Sequence, residues 1–192
     1  NNKMLLCAAP RVQLKGHPVI IDAAKILRSQ GKLNDTYIAF AGNSMVDASA
    51  HASQYESILL QSIQQAGLSD MVFMLDTLSP HELAACYDEA YALLSPSTRP
   101  EGFGYVNLEA MLARTPVIAT RLGGPLDYLH HEDTGLLVEP NHPAGLAMQI
   151  DRLLSSPKLH HILTLRGRLK AEEYSLDQMI RGYAAVLCRT RR

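Results

Sequence analysis

The stretch that decides the fold runs from Met4 to Ser29: MLLCAAPRVQLKGHPVIIDAAKILRS. Met4–Ala9 is continuously apolar, the pattern of a strand buried on both faces, as parallel sheets require. The period then changes. Val19, Ile20, Ala23, Ala24 and Leu27 fall on one helical face, which predicts a helix over Pro18–Ser29 that closes near Gly31. A strand feeding a helix through a short loop is the opening half of a βαβ unit.

Outward from this stretch the same alternation recurs. Strands are predicted at Tyr37–Ala41, Met71–Leu75, Tyr91–Leu94, Val117–Ala119 and Gly135–Val138. Helices are predicted at His51–Gln65, Pro80–Glu89, Phe103–Ala113 and Gly124–His130, and three more at Pro143–Leu154, Pro157–Glu173 and Leu176–Cys188 close the chain. Strict alternation with right-handed crossovers predicts a doubly wound, Rossmann-like α/β domain, its six-stranded, mostly parallel sheet covered by helices on both faces. With no internal repeat or linker, residues 1–192 read as a single domain. Ligands of such sheets bind in the crevice beyond the carboxyl ends of the strands.

Composition narrows the function classes. Hydrophobic residues make up 47% of the 192, enough for a core, and the net charge of −1 argues against a non-specific nucleic-acid binder. Cys7, Cys86 and Cys188 lack metal-ligand spacing, and an odd, sparse count fits a reducing compartment. No apolar run approaches the roughly 18 residues of a membrane span, and no signal-peptide pattern opens the chain. The basic end, Arg189, Arg191 and Arg192, reads as a solvated tail or a contact to an anionic surface. Because the chain begins Asn1-Asn2-Lys3, without an initiator Met, it is expected to be a piece of a longer protein.

Three strand-end loops carry the chemistry. After the first strand, Arg11-Val12-Gln13-Leu14-Lys15-Gly16 places two cations and a glycine before a helix, either an anion cradle or a solvated loop. After the fourth, Glu101-Gly102-Phe103-Gly104-Tyr105 leads into a helix carrying Glu109, which suggests both carboxylates face one crevice. A carboxylate accepts two hydrogen bonds and so matches a vicinal diol, although Glu109 also suits a helix N-terminus as a dipole partner. After the fifth, Leu122-Gly123-Gly124-Pro125 reads as close backbone approach or as plain turn chemistry. The histidine pairs 130–131 and 160–161 read as surface residues.

The run SPSTRPEGFGYVNLE, Ser95–Glu109, resembles the signature of the family-four retaining glycosyltransferases of GT-B fold. Lys15-Gly16, Pro116–Ala119, Gly123-Gly124 and Gly135–Val138 follow that pattern in order and spacing, so the likeness reaches from Arg11 to about Leu154. The resemblance implies a donor-binding, C-terminal half of the enzyme. By it, Arg11 and Lys15 hold the donor diphosphate and, with Glu101 facing the donor hexose, form the catalytic set. Glu109 binds the ribose hydroxyls, while Gly16, Gly102, Phe103, Gly104 and Tyr105 line the donor. The loop near Leu75–Leu78 faces the base by the same analogy. Three residue-level features depart from the pattern: three residues rather than four separate Arg11 from Lys15, Pro10 stands where glycine is usual, and Asp127 stands where a glutamate is common.

The implied reaction transfers a glycosyl group from a nucleotide-diphosphate sugar with retention. No metal or other cofactor is expected, since the sequence has no Asp-x-Asp pair to clamp one. The saccharide, lipid or other acceptor would be held mainly by an N-terminal domain, against which a terminal helix over residues 175–189 would pack. A cytoplasmic location is expected, with peripheral contact to the inner membrane face as an option. Three rivals stand beside this reading: an isolated nucleotide-sugar binding module without activity, a GT-B-fold epimerase or phosphorylase, and a dinucleotide-dependent oxidoreductase. The last is disfavoured because Arg-x-x-x-Lys-Gly occupies the place of Gly-x-Gly-x-x-Gly.

Overall fold

The computed structural model describes residues 2–43 and 50–175, together with Gln178, Ile180, Arg181 and Ala184. Those last four are helical and exposed. The rest of the helix expected over Leu176–Cys188 lies outside the described residues.

Six strands form one sheet: β1 (Lys3–Ala8), β2 (Thr36–Ala41), β3 (Val72–Leu75), β4 (Ala90–Ser95), β5 (Val117–Thr120) and β6 (Leu136–Val138). All neighbours are parallel, in the order β3-β2-β1-β4-β5-β6. The helices are α1 (His17–Ser29), α2 (Ala50–Gln65), α3 (Pro80–Glu89), α4 (Tyr105–Leu112), α5 (Pro143–Ser155) and α6 (Pro157–Glu172). This is the doubly wound α/β domain the alternation predicts.

The two-residue period of the strands divides the core between the sheet faces. Leu5, Cys7, Ile38, Phe40, Leu94 and Ile118 pack with α1 and α5. Met4, Leu6, Ala39, Leu93, Val117 and Ala119 pack on the other face with Leu108 and Met111 of α4. Helix α3 opens with a reciprocal cap: Ser79 N–H donates to Glu82 Oε2 at 2.8 Å, and Glu82 N–H donates to Ser79 Oγ at 3.3 Å.

Three local readings differ from the sequence expectation. Helix α4 starts at Tyr105 rather than Phe103, because Gly104 is its N-cap at φ 74° and leaves Phe103 in the loop. The helix expected over Gly124–His130 is one 3₁₀ turn, Gly124–Asp127. His160 is half-buried rather than a surface residue, its ring 4.2 Å from that of Tyr91.

Chain order reverses between β1 and β4, so the loops leaving these two strands flank the topological switch point of the sheet. Helices α1 and α4 both begin there, each with its N-terminal amides at the strand ends.

Candidate functional site

The loop from β1 reaches α1 through the single 3₁₀ turn Gln13–Lys15, and Gly16 is the α1 N-cap at φ 75°. A side chain there is excluded twice over. The backbone is left-handed, and a Cβ would lie 1.9 Å from the Pro96 carbonyl oxygen. This close approach docks the β1–α1 loop on the β4–α4 loop, and Thr98 N–H donates to Leu14 O at 2.9 Å beside it. The docking brings Lys15 Nζ to 2.6 Å from Glu101 Oε1, an ion pair across the switch point between residues far apart in sequence. Ser97 Oγ donates to the same carboxylate oxygen. Both partners are largely buried, with side-chain exposures of 24% and 12%, so water screens the pair weakly.

The Glu101 loop rests in turn on the glycine pair after β5. Gly124 N–H donates to Glu101 O at 3.0 Å, and a Cβ on Gly124 would lie 1.7 Å from Gly102 O. Gly102 itself is exposed, and among the described residues no atom lies within 4 Å of where its Cβ would stand. Tyr128, fully buried, points its hydroxyl at the carbonyls of Phe103 and Gly104, at 2.7 and 2.8 Å, and burial pushes its pKa up to about 12. Phe103 lies among the rings of Tyr105, Tyr128 and Tyr174, and Tyr105 is 69% exposed beside it.

Arg11 departs from the expectation of two cations facing one ligand. Residues 9–11 continue the β1–β2 ladder beyond the strands: Ala9 N–H meets Ala41 O at 2.9 Å, and Arg11 N–H meets Asn43 O at 2.8 Å. The side chain therefore emerges on the β2 side. Its guanidinium donates to the carbonyls of Gly42 and Leu75, the latter at 2.8 Å, and pairs with Glu56 at 3.2 Å. At 5% exposure it clasps the ends of β2 and β3 instead of joining Lys15. His17, at the first turn of α1, is fully buried between Phe40 and Tyr55, with neither ring nitrogen hydrogen-bonded among the described residues. Burial lowers its pKa to about 4, so the imidazole is neutral.

Glu109 is exposed in the second turn of α4. It lines a groove of about 370 Å³ between α3 and α4, walled by Pro80, Leu83, Ala84, Leu112 and Ala113. Tyr87 OH donates to Glu109 Oε2 at 2.9 Å. The sequence suggested one crevice for both carboxylates. The structure places Glu101 against Lys15 at the switch point and Glu109 on the α3–α4 groove beside Tyr87. Sequence reasoning missed Ser97, Tyr87 and Tyr128. Ser97 stands within the quoted signature and could have been found there; the tyrosines carry no signal beyond apolar periodicity.

The family model for glycosyl transferases group 1 matches residues 1–170. This chain belongs to that family. Among its relatives, a D-inositol 3-phosphate glycosyltransferase of Pseudarthrobacter chlorophenolicus is 35% identical over 79% of this chain and 34% of its own length. The human alpha-1,3/1,6-mannosyltransferase ALG2 is 34% identical over 60% of this chain and 27% of its own. The chain thus spans about a third of these curated relatives. Among solved structures, HepE of Anabaena in complex with UDP-glucose superposes with a TM-score of 0.87 at 22% identity, over 98% of this chain and 49% of that one. The C-terminal domain of a group 1 glycosyl transferase, LpcC of Francisella tularensis, gives 0.80 at 24% identity, over 91% of this chain and 87% of that one. These likenesses show a GT-B-type, Rossmann-like fold.

Proposed function

We propose that this domain binds a nucleotide-diphosphate sugar and that the whole protein transfers the glycosyl group to an acceptor with retention. The observation that carries the reading is the Lys15–Glu101 pair at the switch point, between the N-termini of α1 and α4, in a group 1 glycosyl transferase. As the bond from sugar to phosphate breaks, negative charge grows on the leaving diphosphate. Lys15 and the first-turn amides of α1 and α4 provide fixed positive potential where that charge develops, which stabilises the transition state more than the ground state. That charge compensation needs no metal ion, and the reaction is proposed as metal-independent.

Glu101, held by Lys15 and Ser97, faces the donor hexose. Glu109 takes the ribose diol in the α3–α4 groove, and the exposed backbone at Gly102, with Gly16, Phe103, Gly104 and Tyr105 around it, lines the sugar. Arg11 shapes the base side of the cleft by tying the β2 and β3 ends together. A preceding domain holds the saccharide or lipid acceptor, and the reaction takes place in the cytoplasm, where nucleotide sugars are supplied. UDP-glucose in HepE supports a nucleotide-sugar donor for this fold.

Turnover in the full-length protein tests the proposal. Lys15→Ala is expected to cut the rate of glycosyl transfer by two orders of magnitude or more, about the loss seen when one preorganised donor to a developing anion is removed. A near-wild-type rate sinks the assignment.

A further inference from the structure

We propose that Tyr87 is a positioning residue that fixes the Glu109 carboxylate and thereby sets the preference of this domain for ribonucleotide over 2′-deoxyribonucleotide donors. The inference rests on the reading of Glu109 as the ribose acceptor. An exposed glutamate on a helix surface samples several rotamers, and ordering it on binding costs affinity. Here the carboxylate is already tethered. Tyr87 is 3% exposed, packed in the core beneath α4, and its backbone carbonyl accepts from Thr115 Oγ1 at 2.5 Å. The residue lines the groove, and its hydroxyl reaches Glu109 Oε2 at 2.9 Å. Burial, followed by the neighbouring Glu109 charge, raises the Tyr87 pKa, so the phenol remains a donor throughout the working pH range.

An ionised carboxylate offers about four lone-pair sites on two oxygens. Tyr87 occupies one on Oε2. Among the described residues Oε1 and the second Oε2 site remain open, which is what two vicinal hydroxyls need. Asp88, the other carboxylate lining the groove, is exposed near the far end of α3, and the remaining wall is apolar. The polar recognition of the sugar ring therefore falls on Glu109, and its geometry on Tyr87.

The test is a set of titrations of the chain with UDP, GDP and ADP, followed by the 2′-deoxy counterpart of whichever binds tightest. Wild type is expected to prefer the ribonucleotide by about tenfold, the worth of one hydrogen bond to a charged acceptor. Tyr87→Phe is expected to weaken the ribonucleotide by about three- to tenfold and the deoxynucleotide, which keeps only its 3′-hydroxyl on Glu109, by less, so that the preference shrinks. Water replaces the lost partner of the exposed Glu109, so the variant is expected to fold; its melting curve checks this. In a Glu109→Gln background, Tyr87→Phe is expected to add no further loss of discrimination.

A variant that keeps the wild-type preference overturns the proposal. So does an equal loss for both nucleotides, which marks a merely structural tyrosine. If wild type binds a nucleoside diphosphate without ribose preference, the Glu109 reading fails first and takes the Tyr87 role with it, an outcome distinct from either variant result.

Discussion

Replacing Gly16 with alanine tests the contact that assembles the site. An alanine at φ 75° costs about 1 kcal/mol for its left-handed backbone. The new Cβ would sit 1.9 Å from Pro96 O, so the two loops must part by more than 1 Å. That parting removes the Thr98-to-Leu14 hydrogen bond of 2.9 Å, worth about 1 kcal/mol, and stretches the Lys15–Glu101 pair, worth about another. The sum is about 3 kcal/mol, or a fall in Tm of roughly 6–12 °C for a domain of this size. Gly31 supplies the internal control: it is also left-handed, at φ 67°, but among the described residues no atom lies within 4 Å of its would-be Cβ. Gly31→Ala should therefore show the backbone cost alone, roughly 2–4 °C. Thermal denaturation of both variants decides the matter. Equal shifts would refute the close approach of the two loops and, with it, the reason Lys15 meets Glu101.

Three further outcomes follow from the same geometry. His17 is neutral when folded, with its pKa lowered to about 4, whereas the unfolded chain takes up a proton near 6.5; its contribution is full above that value and lost as pH falls through the window. Denaturant titrations should show about 3 kcal/mol less stability at pH 4 than at pH 7 from this residue, and His17→Phe should remove that part of the slope. Tyr128→Phe leaves the Phe103 and Gly104 carbonyls without their buried donor and should lower Tm by roughly 2–8 °C, from about 1–2 kcal/mol. Lys15→Met should weaken a nucleoside diphosphate by about ten- to a hundredfold in calorimetry while leaving the bare nucleoside unchanged, since only the diphosphate meets the ammonium.

Much of the fold was legible because parallel strands buried on both faces are continuously apolar and the helices between them carry a different period. The six strands from Met4 to Val138 stand within a residue or two of their expected limits. What failed locally was backbone detail: the left-handed Gly104 displaces the α4 start, and Pro125 in a 3₁₀ turn gives no periodic signal to separate it from a short helix. The site divides in the same way. Lys15, Glu101 and Glu109 could be singled out because charged residues beside glycines at strand ends are conspicuous. Their partners could not. Arg11 meets Leu75, Lys15 meets Glu101 and Glu109 meets Tyr87 only after the sheet order is set, and no local pattern encodes contacts across such separations. The short Arg11–Lys15 spacing hinted at an unusual loop path; the ladder running on to Arg11 explains where it leads.

Calorimetric titration of the chain with UDP, GDP and ADP, beside Glu109→Ala, tests whether a nucleoside diphosphate lies from Lys15 to Glu109. Saturable binding of one nucleotide in preference to the others, lost or sharply weakened in the variant, is the expected result. Binding that Glu109→Ala leaves untouched, or no binding of any of the three at millimolar concentration, would contradict it.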